Sequence, residues 1–100
     1  MASYAWVITE DKINGLPGDS VPSRKGTAGP HDAPDNLLSS AQAGDGRKFR
    51  MLDDDGEVYY LGVYAGPDDE DMFGPLWDFG APDAGATEIQ YREDGKWVTL

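Results

Sequence analysis

Arg47-Lys48-Phe49-Arg50-Met51-Leu52-Asp53-Asp54-Asp55-Gly56-Glu57-Val58-Tyr59-Tyr60-Leu61-Gly62-Val63-Tyr64 is two apolar-rich runs joined through an acidic turn. Asp-Gly between two such runs is a strong signal for a tight hairpin. The stretch predicts two antiparallel strands, over residues 47–52 and 57–64. With a two-residue loop at Asp55-Gly56, Met51 faces Tyr60 and Phe49 faces Gly62, and Val58 and Tyr64 join the same apolar face. The opposite face is partly apolar too, with Leu52, Tyr59, Leu61 and Val63. A strand that is apolar on both sides belongs in the interior of its sheet.

Working outward, residues 4–9 alternate aromatic and aliphatic side chains and predict a first strand, with Tyr4, Trp6 and Ile8 on one face. At the other end, Asp94-Gly95 predicts a second hairpin over residues 87–92 and 96–100. Its register puts Ile89, Tyr91, Val98 and Leu100 on one face, pairs Glu93 with Lys96, and sets Arg92 opposite Trp97 for a cation–π contact. Residues 14–34 are rich in Gly and Pro and read as a long irregular connection. A short helix is predicted near residues 34–43. Asp32 or Asp35 caps it, Pro34 lies in its first turn, Leu37, Leu38 and Ala41 face inward, and Gly44 stops it. Residues 65–86 again carry Gly and Pro, but among Phe73, Leu76, Trp77 and Phe79. They read as a loop packed down on the sheet as a lid. The sum is one α+β domain over residues 1–100: a mainly antiparallel, twisted sheet of about five strands, one short helix and two long irregular loops. Trp6, Ile8, Phe49, Met51, Tyr60, Ile89, Tyr91 and Val98 are its expected core.

The charge is uneven. Residues 1–50 hold six acids and six Lys or Arg, whereas residues 51–100 hold thirteen acids against Arg92 and Lys96. No Lys, Arg or His occurs from Met51 to Tyr91. A field of one sign repels itself, and the net charge of −11 disfavours direct binding to nucleic acid or anionic membrane. There is no cysteine, which excludes disulfides, thiolate metal sites and cysteine nucleophiles. No apolar run approaches the roughly 20 residues of a membrane span. The N-terminal residues lack the pattern of a signal peptide, so a cytoplasmic location is expected.

Several groups could carry chemistry. Asp53, Asp54, Asp55 and Glu57 could hold a hard cation, but they do not match the alternating twelve-residue calcium loop. In a two-residue turn Asp54 would face Glu57, a like-charge pair. The plainer reading is a solvated turn. Asp68, Asp69, Glu70 and Asp71 form a second run, either a solubilising loop or, lying beside the 53–57 turn, part of one negative plate. Gly18-Asp19-Ser20 and His31 could suggest a serine nucleophile with its base, yet nothing fixes a triad geometry. Arg47, Lys48 and Arg50 are the one basic cluster, read as compensation for the acidic turns, with an anion site as the alternative. Trp77 and Phe79 are either core or an aromatic anchor rimmed by Asp71, Asp78 and Asp83.

Residues 4–11 (Tyr-Ala-Trp-Val-Ile-Thr-Glu-Asp), residues 46–51 running into Asp53–Glu57 and Tyr59-Tyr60, and then Pro75-Leu76, Asp78-Phe79-Gly80, Pro82, Ala84-Gly85, Thr87-Glu88-Ile89 and Tyr91-Arg92 resemble a family of small acidic bacterial and phage-borne proteins of unassigned function. The resemblance implies no activity and no catalytic residues; it implies carriage on a mobile element. The residues themselves point to a non-catalytic, acidic interaction protein that needs neither metal nor cofactor. It would bind a basic macromolecular surface through Asp53, Asp54, Asp55, Glu57, Asp68, Asp69, Glu70, Asp71, Trp77 and Asp78. In its sharpest form it is a nucleic-acid mimic that inhibits a host defence protein or another DNA- or RNA-binding protein. The alternative is a small housekeeping domain whose acidity serves solubility or weak divalent-cation binding.

Overall fold

The computed structural model describes residues 2–100. In chain order the elements are β1 (Ala5–Asp11), β2 (Ala28–Gly29), α1 (Asp35–Gln42), β3 (Arg47–Leu52), β4 (Val58–Ala65), a 3-10 turn (Glu70–Phe73), a π-helical turn (Leu76–Gly80), α2 (Ala81–Ala84), β5 (Glu88–Glu93) and β6 (Lys96–Thr99). They build an α+β fold around one open sheet of six strands, in the order β2-β1-β4-β3-β5-β6. Every pairing is antiparallel. The sixth strand is β2, two residues on the edge of β1 within the long irregular connection.

The deciding hairpin has the expected register over most of its length: Met51 opposes Tyr60 and Phe49 opposes Gly62. β4 lies between β1 and β3, in the sheet interior. At the turn the register shifts by one, so Leu52 opposes Val58 and the Asp53 amide donates to the Glu57 carbonyl at 3.0 Å. The Gly56 amide donates to the Asp53 carbonyl at 3.1 Å, and Gly56 has φ 81°. This is a three-residue loop of Asp54, Asp55 and Gly56 whose last position needs the left-handed conformation that glycine supplies. The expected two-residue loop is therefore corrected, and Asp54 does not oppose Glu57.

The sheet buries its two faces differently. Trp6, Ile8, Phe49, Met51, Tyr60, Tyr64, Ile89 and Tyr91 form the inner face, covered by Met72, Leu76, Phe79 and Ala86. Gly62 serves this face by absence: a Cβ there would lie 2.4 Å from the Phe49 ring, which fills the space instead. The outer face has a smaller cluster of Val7, Ala41, Val63 and Ala65, with Leu37 of α1 packed against it. Leu37 and Leu38 are half-buried, and Ala41 is the fully buried residue of α1. No side chain caps this helix; Pro34 is the N-cap residue and Asp35 lies in the first turn. Val98, expected in the core, is 43% exposed. It sits on edge strand β6, beyond the cover over Ile89 and Tyr91.

That cover is the main departure from expectation. Residues 70–84 are continuously helical but change pitch three times. Pro75 and Pro82 stand at the starts of short helical pieces, where a missing amide costs nothing and the ring's φ fits. Proline and glycine thus cut the lid into segments without unwinding it. Met72, Leu76 and Phe79, spaced four and three apart, point inward; Phe73 and Trp77, four apart, form the neighbouring stripe. Among the described residues no helix is long and apolar enough to cross a membrane.

Candidate functional site

The structure divides the sequence-predicted binding residues into two groups. Asp53, Asp54, Asp55 and Glu57 lie before β4, and Asp68, Asp69, Glu70, Asp71, Trp77 and Asp78 lie after it. β4 has eight residues, which at about 3.3 Å each separates the groups by roughly 25 Å. The two runs are not side by side, and a single negative plate made of both is ruled out by the topology.

At the lid end, the acids converge on the two tyrosines of the β1–β4 pair. The Tyr4 hydroxyl donates to Asp78 Oδ2 at 2.6 Å, and Trp6 Nε1 donates to the same oxygen at 3.1 Å. Ser3 Oγ donates to Asp71 Oδ2 at 3.2 Å. Asp69 caps the 3-10 turn, accepting from the Asp71 amide at 2.8 Å. Burial, the hydrogen bond to Asp78 and the charges of Asp78, Asp71 and Asp32 hold the Tyr4 phenol well above its usual range. Burial and then the charges of Asp71, Asp69 and Asp68 do the same for Tyr64. Burial leads both shifts, and the carboxylates at this end of the sheet add to it.

Two aromatics divide the lid's labour. Phe79 is core, with ring centroids 4.9 Å from Tyr60 and 5.4 Å from Trp6. Trp77 is 62% exposed and stacks on Phe73, with centroids 5.1 Å apart and planes 12° apart. Asp83 turns from this stack to Arg24, whose Nε donates to it at 3.0 Å while its guanidinium lies over Phe79. Asp83 is therefore a lid fastener. Asp11 anchors the loop that carries Arg24: its carboxylate accepts from the amides of Ile13 and Asn14 at 2.9 Å and of Arg24 at 2.8 Å. Burial raises its pKa, but these bonds outweigh it and hold the group below its usual range.

The turn end is simpler. Asp53 accepts from the amides of Asp55 and Glu57 at 2.9 Å and from the Tyr59 hydroxyl at 3.1 Å. Those bonds, led by the one from Glu57, depress its pKa. The side chains of Asp54, Asp55 and Glu57 make no hydrogen bond or ion pair among the described residues. Asp53 is thus a structural turn residue and the other three are solvated charges.

The basic cluster splits as well. Arg47 bridges Asp68 at 2.9 Å and Glu93 at 2.6 Å, so it does compensate the second acidic run. Arg50 and Lys48 turn to the outer face of the sheet, where the Arg50 guanidinium lies 4.6 Å from the Trp97 ring centroid. Arg92 lies 5.3 Å from that ring, as its register predicts. Ser20 and His31 are exposed. Among the described residues no group of three or more His, Asp or Glu is arranged to hold a metal ion. Comparison with protein-family models, curated proteins and solved structures finds no match.

Sequence reasoning missed the fasteners: Tyr4 and Trp6 on Asp78, and Arg24 on Asp83. The spacing of Met72, Leu76 and Phe79 was the available signal. It is helical, and it fixes which lid residues face inward and hence that Trp77 does not.

Proposed function

We propose that the protein is a non-catalytic interaction protein whose lid end binds a basic macromolecular surface. The observation that carries this is Trp77: a large aromatic, mostly exposed and stiffened by Phe73, flanked by Asp68–Asp71 and Asp78 on a stretch without a single cation. Aromatic anchors surrounded by polar rims are what protein interfaces favour. In its most specific form the carboxylates stand in for backbone phosphates. The protein then occupies the nucleic-acid groove of a host defence protein or of another DNA- or RNA-binding protein. The solvated carboxylates of the β3–β4 turn fit a second role, that of keeping the chain soluble.

The test is capture of a partner from host lysate on the immobilised protein at low and high salt, followed by kinetics with variants. A basic nucleic-acid-handling protein released by salt is expected. Asp69→Lys with Glu70→Lys should slow association by weakening steering, and Trp77→Ala should speed dissociation. Unchanged kinetics in both variants would overturn the proposal.

A further inference from the structure

The outer face of the sheet, opposite the lid, carries an open groove of about 360 Å³. Phe49, Leu61, Gly62, Val63 and Trp97 line it, together with the polar Thr9, Glu10 and Lys48. The lining is mostly apolar. The volume is that of about a dozen water molecules, at roughly 30 Å³ each in the liquid, and it falls within the roughly 300–1,000 Å³ of small-molecule clefts.

The charge around it is the reverse of the molecule's. Arg50 and Arg92 both lie over Trp97. Glu10, on the rim, is paired with Lys12 at 2.9 Å. Lys48 makes no hydrogen bond or ion pair among the described residues. Arg24 and Arg47, by contrast, are committed to carboxylates. Arg50 donates to Gln90 Oε1 at 2.7 Å, and the Gln90 amide reaches Glu88. On a chain of net charge −11, Lys48 is thus left unpaired, among the described residues, beside this groove.

We propose that this groove binds a small, flat, apolar molecule with a single anionic group, an aromatic carboxylate being the type. The ring lies against Leu61 and Trp97, displacing water from apolar walls. The anion meets Lys48, whose ammonium gains a charge-assisted hydrogen bond. A second copy docked face to face would bring Lys48, Arg50 and Arg92 against their own counterparts. A polyanion would meet the acidic field of the whole chain, whereas one anion in the groove is screened from charges beyond about 8 Å at physiological ionic strength. Charge and size thus both select a small monoanion.

Titration by nuclear magnetic resonance with three probes of the same ring tests this: indole-3-acetate, neutral indole and cationic tryptamine. Indole-3-acetate should give saturable shifts at the Trp97 indole N–H and the Leu61 methyls, about tenfold tighter than indole, and tryptamine should not bind there. Lys48→Gln, an exposed substitution, should reduce indole-3-acetate to the affinity of indole and leave indole unchanged. The proposal is overturned by equal affinity for acetate and indole, by shifts at Trp77 instead of Trp97, by no saturable shift at millimolar probe, or by an unaltered Lys48→Gln titration.

Discussion

The β3–β4 turn and the start of the lid are almost the same in composition, four carboxylates in a short stretch, yet the fold uses them in opposite ways. At the turn, Asp53 is consumed in shaping its own loop, and Asp54, Asp55 and Glu57 are left to solvent. At the lid, Asp68 is bridged by Arg47, Asp69 caps a helical turn, Asp71 takes Ser3, and Asp78 binds Tyr4 and Trp6. The difference comes from what lies nearby in space. The turn joins β3 to β4, and among the described residues no donor side chain but the Tyr59 hydroxyl reaches its carboxylates. The lid crosses the inner face, where buried phenol and indole groups need acceptors. An acidic run becomes structure where it meets orphan donors and remains a charged surface where it does not.

The largest effect should come from alkali, which acts on the buried tyrosines of the whole inner face. All five tyrosines have raised pKa values: burial dominates for Tyr4, Tyr64 and Tyr91, burial and the charges of Asp11 and Asp83 push Tyr60 up to about 12, and Tyr59 is raised by its bond to Asp53. In the unfolded chain a tyrosine titrates near pH 10. Above that pH the unfolded state releases protons that the folded state retains, so stability is full below about pH 10 and falls as pH climbs through the folded values. Phenolate absorbance should rise together with loss of far-ultraviolet circular dichroism, except for the half-buried Tyr59, which ionises earlier. Ionisation of Tyr4 and Tyr64 near pH 10 in an intact sheet would contradict their burial beside the lid carboxylates.

Within the lid, two adjacent aromatics should differ most. Phe79→Ala removes a ring packed on Trp6 and Tyr60 and should cost about 3–5 kcal/mol. Trp77→Ala loses one surface stack and should cost no more than about 1.5 kcal/mol. Chemical denaturation measures both. Similar losses would mean that Trp77 is core after all, and the anchor proposal would lose its main support.

How much of this was legible in the sequence depends on how local the signal is. The β3–β4 and β5–β6 registers, and Trp6, Ile8, Phe49, Met51, Tyr60, Ile89 and Tyr91 as core, follow from two Asp-Gly turns and alternation with period two. The lid was hidden because Gly74, Pro75, Gly80 and Pro82 are the residues that mark loops, and here each falls at a junction between short helical pieces. Position in the turn decided the one-residue register shift after Met51, which dipeptide identity does not encode. Val98 failed because alternation gives a face but not how far the cover over that face extends. The separation of the acidic runs is a matter of topology: β4 alone carries the chain from one end of the sheet to the other.

Asp78→Ala should be the next largest effect. Trp6 is only 3% exposed, so its indole N–H loses its acceptor in the interior, at about 1–3 kcal/mol. Asp53→Ala removes more hydrogen bonds, but from groups that water reaches, and should lower the melting temperature by less. A larger loss for Asp53 than for Asp78 would mean that the turn, not the lid, is the more structural of the two acidic regions.

The smallest effect should come from Asp54→Asn with Asp55→Asn. Neither side chain has a partner to lose, and asparagine is well suited to turn positions. Exposed substitutions of this kind change stability by no more than about 0.5 kcal/mol. The sign should be informative. Removing two charges from the cation-free half relieves repulsion, so the double variant should be slightly more stable than the parent at low salt. The gain should vanish as salt shortens the Debye length from about 30 Å at 0.01 M to about 3 Å at 1 M. Asp69→Ala with Glu70→Ala, which removes the same charge from the lid, should instead destabilise at every salt concentration, because the cap on the 3-10 turn is lost with it. Melting curves of the two double variants across a salt series separate the cases. If both pairs stabilise at low salt and converge at high salt, the lid acids are no more structural than the turn acids.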